Sequence, residues 1–387
     1  MQAWLAGEKV SREKAEEIPT VAGAVGIISR TAANVPIKLY KREGEKVVEV
    51  KGDKRVKLLN TETGDTLDAK QMKQAMFRDY YLGRGGYCFV NWDGLQVESL
   101  HYVPCDNISI AKNADVIFKD FVILVQGKIY YPHQFIKLLR NSSDGAEGKS
   151  IVEQNERLMS VAYNSLRYEE TLVKTGGNKK GFVKSQKKLA QPAIDALKQA
   201  WNKLYQNNTE NVVILNDGLE FQESSNTSVE MQLNENKKTN GDEFCKILNI
   251  PPNMMNGNVK EEDDKHMIKY CVSNLLEEFT TAIDKVLLLE SEKDDYFFAA
   301  DMYELTKGDI DKRYAAYKVA SETGWLQIDE IRCKENMEPL GLNMIKLGLQ
   351  DVLYDPDKGL IYIPNTNQTY KIGGETKGQE SNLEENR

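Results

Sequence analysis

The chain has 387 residues, 41% of them hydrophobic and 28% charged, with a net charge of −8. This is ordinary composition for a soluble globular protein long enough to hold two or three domains with their own cores. The acidic balance argues against a protein whose job is to grip phosphates, though not against one that nucleic acid passes without sticking. No apolar run is long enough to span a bilayer, and the N-terminus lacks the basic-then-apolar pattern of a signal peptide. The five cysteines are scattered, odd in number and without a CxxC pair, so reduced, mostly buried thiols of a cytosolic product are expected.

In chain order, residues 18–33 are apolar with many small side chains and suit a packed helix. Residues 35–40 and 47–50 read as strands around a turn at Lys41-Arg42-Glu43-Gly44. A helix is expected over 67–82, capped by Asp68, with Met72, Ala75, Met76 and Tyr80 at helical spacing. Hairpins follow over 87–102, turning at Asp93-Gly94, and over 121–131, turning at Gly127. Residues 141–148 are a polar linker. Helices are expected over 151–173, from Pro192 to about 205, and over 231–248, with a hairpin over 211–223 turning at Asn216-Asp217-Gly218. Pro251-Pro252 forces an extended corner. The C-terminal third reads as helical until Pro339, then as a last hairpin over 352–363, and as a polar, charged, disordered tail from 373.

No catalytic constellation emerges. Gly83-Arg84-Gly85-Gly86 follows a helix rather than a strand and lacks the Lys-Ser/Thr of a phosphate loop, so it reads as a turn into a strand. Glu261-Glu262-Asp263-Asp264 beside His266 sit at a helix N-terminus, where carboxylates offset the macrodipole, and consecutive acids do not share one face. His101, His133 and His266 are too dispersed for a triad or a zinc site, and Ser165 and Ser273 lack a nucleophile-elbow context. No catalytic, metal or cofactor site is therefore expected.

The helical third holds the more informative pattern. Val272, Leu275, Leu276, Phe279, Ile283, Val286 and Leu287 form one stripe, with Glu277, Glu278, Asp284 and Glu290 on other faces. A stripe of this reach must be buried, and Ile310, Tyr314 and Tyr317 on the next helix offer a matching face. Between them Tyr296-Phe297-Phe298 is an aromatic patch suited either to contact with another chain or to plugging a local core.

Five segments, in order, resemble the portal proteins of long-tailed bacteriophages. Ala22 to Tyr40, ending Val35-Pro36-Ile37-Lys38-Leu39-Tyr40, is similar to the family's opening of small residues followed by V-P-hydrophobic-x-L-Y. Leu82 to Tyr87 resembles a strand entry in which Gly85-Gly86 replaces the usual Asn-Ala, and Leu248 to Met255 resembles its Pro-Pro corner around Pro251 and Pro252. Gly324-Trp325 followed by Asp329-Glu330-Ile331-Arg332, and Met337-Glu338-Pro339-Leu340-Gly341, complete the order without the family's last Gly pair. The resemblance covers roughly residues 20–345, and the tail over 351–367 is a softer match.

The resemblance implies an α+β portal fold: a mixed α/β wing domain, a helical stem, a small clip and a tunnel-loop helix, assembled into a ring of usually twelve copies. The expected divisions are 1–259 wing, 260–285 stem helix, 286–308 clip, 309–322 second stem helix, 323–327 tunnel loop, 328–345 tunnel or crown helix, 346–372 hairpin and 373–387 tail. Thr323, Gly324, Trp325, Leu326 and Gln327, with Lys312 and Lys318, are the DNA-facing candidates. Lys307 and Arg313 are further bore-lining candidates, and Trp325 is read more readily as packing between subunits. Tyr296, Phe297, Phe298 and Tyr303 are the clip candidates, and Pro36, Pro251, Pro252, Glu330, Arg332 and Pro339 are family-motif positions. The implied function is a structural conduit through which double-stranded DNA is packaged and ejected, in the host cytoplasm during assembly and then in the virion. The implied partners are the terminase large subunit, a head–tail adaptor, the major capsid protein and scaffold, with no membrane and no cofactor. Twelve copies would bring 12 × −8 = −96 charges to the ring, which disfavours tight DNA binding. Another head–tail connector, or an α+β enzyme, is the competing reading.

Overall fold

Small side chains at helical spacing decide the first long element. The computed structural model describes residues 9–44, 46–115, 117–174, 181–185, 190–206, 219–223, 227–306, 310–335, 337–341, 344–347, 352–356 and 358–371. A short helix α1 (Arg12–Glu16), capped by Ser11, precedes α2 (Pro19–Asn34), which starts with Pro at its first position. Val21, Ala24, Val25, Ile28, Ala32 and Ala33 bury one side of α2. The chain then turns through Pro36 into β1 (Ile37–Glu43), β2 (Lys46–Glu49) and α3 (Lys54–Asn60).

Helix α4 (Ala69–Leu82) begins as the sequence predicts, with Asp68 Oδ1 accepting from the Gln71 amide at 2.8 Å and Gln71 Oε1 accepting from the Asp68 amide at 3.2 Å. It packs along α2. Strands β3 (Gly86–Asp93) and β4 (Gln96–Val103) form the expected hairpin. Gly86 is required by close approach: a Cβ there would lie 2.3 Å from the Met76 carbonyl oxygen of α4. The sheet order is β4-β3-β8, and a second sheet is β5-β6-β7, from β5 (Ile108–Lys112), β6 (Phe121–Val125), β7 (Lys128–Tyr130) and β8 (Phe135–Leu138). The two meet at a core of Tyr87, Cys105, Ile108, Ile123 and Phe135. The sequence reading misses β5 and β8, both short and lacking a tight turn to announce them.

The helix expected over 151–173 is interrupted at Asn155 into α5 (Ile151–Gln154) and α6 (Glu156–Lys174). Next come β9 (Gly181–Ser185), α7 (Gln191–Gln206), β10 (Leu219–Glu223) and α8 (Thr227–Ile247). Strand β10 pairs antiparallel with β9. The other half of the hairpin expected over 211–223, with its turn, lies outside the described residues. After α9 (Pro252–Met255), the acidic helix runs as α10 (Glu261–Met267), a π-helical turn over Ile268–Val272, and α11 (Ser273–Leu287), leading into β11 (Tyr296–Ala300).

The chain divides into two compact units, Met1–Met302 and Tyr303–Arg387. The helix expected over 260–285 packs within the first unit. Leu275, Leu276, Phe279, Ile283 and Leu287 are buried, and Phe279 meets Phe77 of α4 edge-on at 5.3 Å. The apolar stripe read from the sequence is thus real, but its partners are β8, β11 and, through Phe77, α4 of the same unit.

The second unit contains α12 (Tyr303–Thr306), α13 (Ile310–Glu322), α14 (Ile328–Lys334) and an antiparallel sheet, β12 (Ile345–Leu347), β13 (Val352–Asp355), β14 (Leu360–Ile363) and β15 (Gln368–Lys371). The hairpin expected over 352–363 is its centre. Residues 373–387 and Lys307 lie outside the described residues. Cys88, Cys105, Cys245 and Cys271 are buried free thiols and Cys333 is exposed. No helix among the described residues is long and apolar enough to cross a membrane.

Candidate partner and oligomer interfaces

The aromatic strand is the first surface to place. β11 pairs antiparallel with β1, bringing Phe298 opposite Leu39 and Phe297 opposite Tyr40. Phe298 is buried, whereas Phe297 stacks on Tyr40 at 5.6 Å and lies under the Arg42 guanidinium at 4.9 Å. Tyr296 lies beside the Lys41 ammonium. The outer edge of β11 is closed by Asp284, whose Oδ1 accepts from the Phe298 amide at 2.7 Å. Burial raises the Asp284 pKa and this amide lowers it. Within 286–308, the aromatic residues of β11 pack into the body of the first unit as the second partner of β1, opposite β2. Pro36 fixes the end of this pairing, its carbonyl accepting from the Asp301 amide at 2.8 Å. Tyr303, in the second unit, contacts the Tyr317 hydroxyl.

A projecting pair of helices, α6 and α8, lies elsewhere in the first unit. Their facing residues run in opposite senses: Ala162, Ser165, Leu166 and Glu169 against Phe244, Gly241, Asn240 and Lys237, so the helices are antiparallel. Lys237 Nζ and Glu169 Oε2 close the pair at 2.9 Å. Their roots are buried through Met159, Ala162, Phe244 and Cys245 and adjoin the start of α2 at an apolar notch of about 70 Å³. The far end of α6 is exposed, with Val173 79% accessible. Between the far ends the chain makes the β9–α7–β10 excursion.

Two of the family-motif segments prove to be helix stops of the same type. At the end of α8, Asn249 has φ +55°, the Ile250 amide donates to Cys245 O at 2.9 Å and the Asn249 amide to Lys246 O at 3.2 Å. Pro251 and Pro252 follow, Pro252 opening α9, and the chain cannot continue as helix. At the end of α13, Gly324 has φ +78°, the Trp325 amide donates to Ala320 O and the Gly324 amide to Ser321 O, both at 3.2 Å. A Cβ on Gly324 would lie 2.6 Å from Lys346 O.

Around this second stop, Thr323 Oγ1 donates to Val319 O at 2.7 Å. The Gln327 amide donates to Glu330 Oε2 at 2.9 Å, starting α14. Arg332 Nε donates to Glu338 O at 2.8 Å and the Leu340 amide to Asp329 Oδ1 at 2.9 Å, folding the segment with Pro339 back on α14. Trp325 is 72% exposed and Leu326 half-buried. Lys312 and Lys318 are exposed on α13, Lys318 lying 4.0 Å from Glu322. Helix α13 buries Tyr317 and Ala320 with Arg313 half-buried in line, and Glu335 meets Arg313 Nε at 2.8 Å and accepts from the Tyr317 hydroxyl at 3.0 Å. Ile310, Tyr314, Val319, Ile328, Met337 and Leu340 remain exposed.

Sequence reading misses the polar clamp under α1. Asp79 is fully buried in α4; its carboxylate meets Arg12 Nη2 at 2.5 Å and accepts from Tyr102 Oη at 2.8 Å and the Cys105 amide at 3.2 Å. Burial pushes Asp79 up while Arg12 and the Tyr102 hydrogen bond pull it down. The available signal was that Asp79 lies three residues after Met76, on the apolar stripe, where an acid needs a partner.

A family model described as phage portal protein matches residues 19–336. A probable portal protein of Streptomyces phage phiC31 is 19% identical over 382 residues, covering 91% of this chain and 82% of that protein. Among solved structures, an HK97 family phage portal protein from Corynebacterium diphtheriae superposes with a TM-score of 0.60 at 15% identity, covering 78% of this chain and 99% of that one. A chain from the neck of a native gene transfer agent particle with C12 symmetry gives a TM-score of 0.55 at 16% identity, covering 87% and 98%. At these identities the structural likeness speaks to the fold.

Proposed function

The chain belongs to the phage portal protein family, and from that premise we propose that its copies close into a ring, twelve in the virion, at one vertex of a phage capsid. The observation that carries the reading is the match running through the body and both helix stops, residues 19–336. The likeness to a chain of a C12 particle neck supports closed symmetry. The family is structural rather than enzymatic, so the competing enzyme has no support and the energy for packaging would come from a separate terminase.

In this ring double-stranded DNA passes through the centre without sequence-specific contact. The acidic chain, at −8 per copy, favours passage over retention. Lys312 and Lys318 are the exposed cations of the helical region proposed to meet passing phosphates. The Thr323–Gln327 turn is proposed to lie near the bore, with Trp325 packing against a neighbouring copy, because 72% exposure of an indole is unfavourable unless covered.

The docking role moves from the aromatic strand to the β9–α7–β10 excursion. It stands at the exposed end of the antiparallel pair α6 and α8, which takes the stem role. We assign to it the terminase large subunit during packaging and the head–tail adaptor afterwards, while the body meets the major capsid protein and scaffold. Assembly in the host cytoplasm precedes residence at the portal vertex.

Negative-stain microscopy and native mass measurement of the purified chain test the ring. Closed rings with a hole admitting a DNA duplex are expected. A monomer at every concentration and salt tried would overturn the proposal.

A further inference from the structure

Strand β8 is an edge strand, paired only with β3 in the sheet β4-β3-β8. In an antiparallel ladder, alternate residues of such a strand turn their N–H and C=O away from the partner. No hydrogen bond from outside the sheet reaches the backbone of Ile136–Leu138 among the described residues. Helix α11 meets two strand edges and closes one of them. At β11 the Asp284 carboxylate accepts from the Phe298 amide. Between α11 and β8 an open groove of about 810 Å³ remains.

One wall of the groove is a single face of α11 from Asn274 to Val286, about 18 Å at 1.5 Å per residue. The other wall is β8 and the loop after it. Lys137 and Leu139 lie on one face of the strand and Leu138 on the other, yet all three line the groove, so it runs along the strand's edge rather than over a face. The loop is held in place. Asp144 Oδ1 accepts from the Ala146 amide at 2.9 Å and the Glu147 amide at 3.2 Å, and Oδ2 accepts from Lys112 Nζ at 2.7 Å. Leu138, Leu139, Ala282 and Val286 are the apolar lining.

Charge is graded along the groove. Lys137 stands near Lys285 at one end; burial pushes the Lys137 ammonium down to about 8, and Lys285 adds to the effect. Lys137 lies over the Phe121 ring at 4.4 Å, and neither lysine is in an ion pair among the described residues. Two turns earlier on α11 stand Glu277 and Glu278. Burial raises Glu278, while the Tyr80 hydroxyl and Arg140 hold it down, so this carboxylate is answered from within the fold. Glu277 has no cation partner among the described residues. The groove thus presents two uncompensated ammoniums and, about 12 Å along the helix, one uncompensated carboxylate. In an extended chain, side chains four residues apart share a face at a spacing of about 13 Å.

We propose that this groove takes an extended segment of another protein as an added strand beside β8, with an acidic side chain at Lys137 and Lys285, an apolar one in the middle and a basic one at Glu277. The inference stands apart from ring closure, since every residue it uses lies in the first compact unit. The test is fluorescence anisotropy of the full-length protein with three labelled peptides: Ser-Glu-Thr-Val-Thr-Lys-Ser, a second with Lys in place of Glu, and a third with Pro in place of both Thr. The first is expected to bind about tenfold more tightly than either of the others, because the second sets a cation on the lysine pair whichever way it lies and the third lacks the pairing amides. Lys285→Glu, at an exposed position, is expected to weaken the first peptide about tenfold and to strengthen the second, with the circular dichroism spectrum unchanged. Hydrogen exchange of the Ile136–Leu138 amides is expected to slow when the first peptide is bound. No binding of the first peptide, equal affinity for all three, or a Lys285→Glu variant that binds like wild type would overturn the proposal. Binding without slowed exchange in β8 would overturn the added strand. If unassembled chains bind the peptide and closed rings do not, the occupant is a neighbouring copy and the separate partner is overturned.

Discussion

Lys73 lies in the body with 1% exposure, its ammonium donating to Val35 O, at the C-terminal end of α2, at 3.0 Å. The position favours a cation, since the end of a helix is partially negative. Burial nevertheless pushes its pKa down from 10.5 to about 8, with nearby Lys70 adding to the effect. Below about 8 the folded and unfolded forms are both protonated, and the folded form bears the full desolvation penalty. Between that value and the ordinary lysine range the folded form releases its proton first, so stability rises with pH. Urea denaturation from pH 7 to 10.5 is expected to show a gain of about 3 kcal/mol in wild type relative to Lys73→Met. Equal pH slopes in the two proteins would show that Lys73 is not held in this environment. At this scale the sequence is legible only in part. The stripe of α4 announces that Asp79 and Lys73 sit near the buried side, but their partners, Arg12 and the Val35 carbonyl, are brought in by packing of remote segments.

Helix ends are the elements most legible from sequence, because their chemistry is local. Gly-Trp and Asn-Ile-Pro-Pro mark stops that need a left-handed residue, and both adopt one. Gly324→Ala is expected to destabilise the full-length protein by about 1–2 kcal/mol, from the unfavourable backbone conformation and the close Lys346 carbonyl, measured as a shift in denaturation midpoint. An unchanged midpoint would mean that this stop is not formed. Strand partnership is less legible. The Tyr296-Phe297-Phe298 run shows apolar character, yet its partner is β1, near the other end of the body, and nothing local specifies it. Likewise the stripe over 272–287 says that a face is buried without saying against what. That ambiguity is why the partners of this helix, β8 and β11, could not be read from the sequence.

For the whole molecule, the order of five short motifs identifies the family, while the division into parts requires the structure. The α6–α8 pair and its excursion are polar on average, so they merge with the body on a reading of composition. Because the helices run antiparallel, their far ends come together, and residues 175–226 can be replaced by a short Gly/Ser linker. This variant is expected to keep the unfolding free energy of the body within about 1 kcal/mol of wild type while losing pull-down of the terminase large subunit. Retained terminase binding would place the docking surface elsewhere.

A π-helical turn over Ile268–Val272 joins α10 to α11. The buried positions Met267, Cys271, Leu275, Phe279, Ile283 and Leu287 recur every fourth residue. Within α11 such a row drifts about 40° per step, and Leu276 beside Leu275 widens the buried stripe that takes up the drift. The wider π-helical turn rotates backward once, between Met267 and Ser273, and so resets the face of the first arm against that of the second. The helix behaves as a jointed shaft: its acidic first arm, Glu261–Met267, and its buried second arm, Ser273–Leu287, are indexed separately. Sequence drift can turn the outer arm toward a new neighbour without disturbing the seat of the inner one.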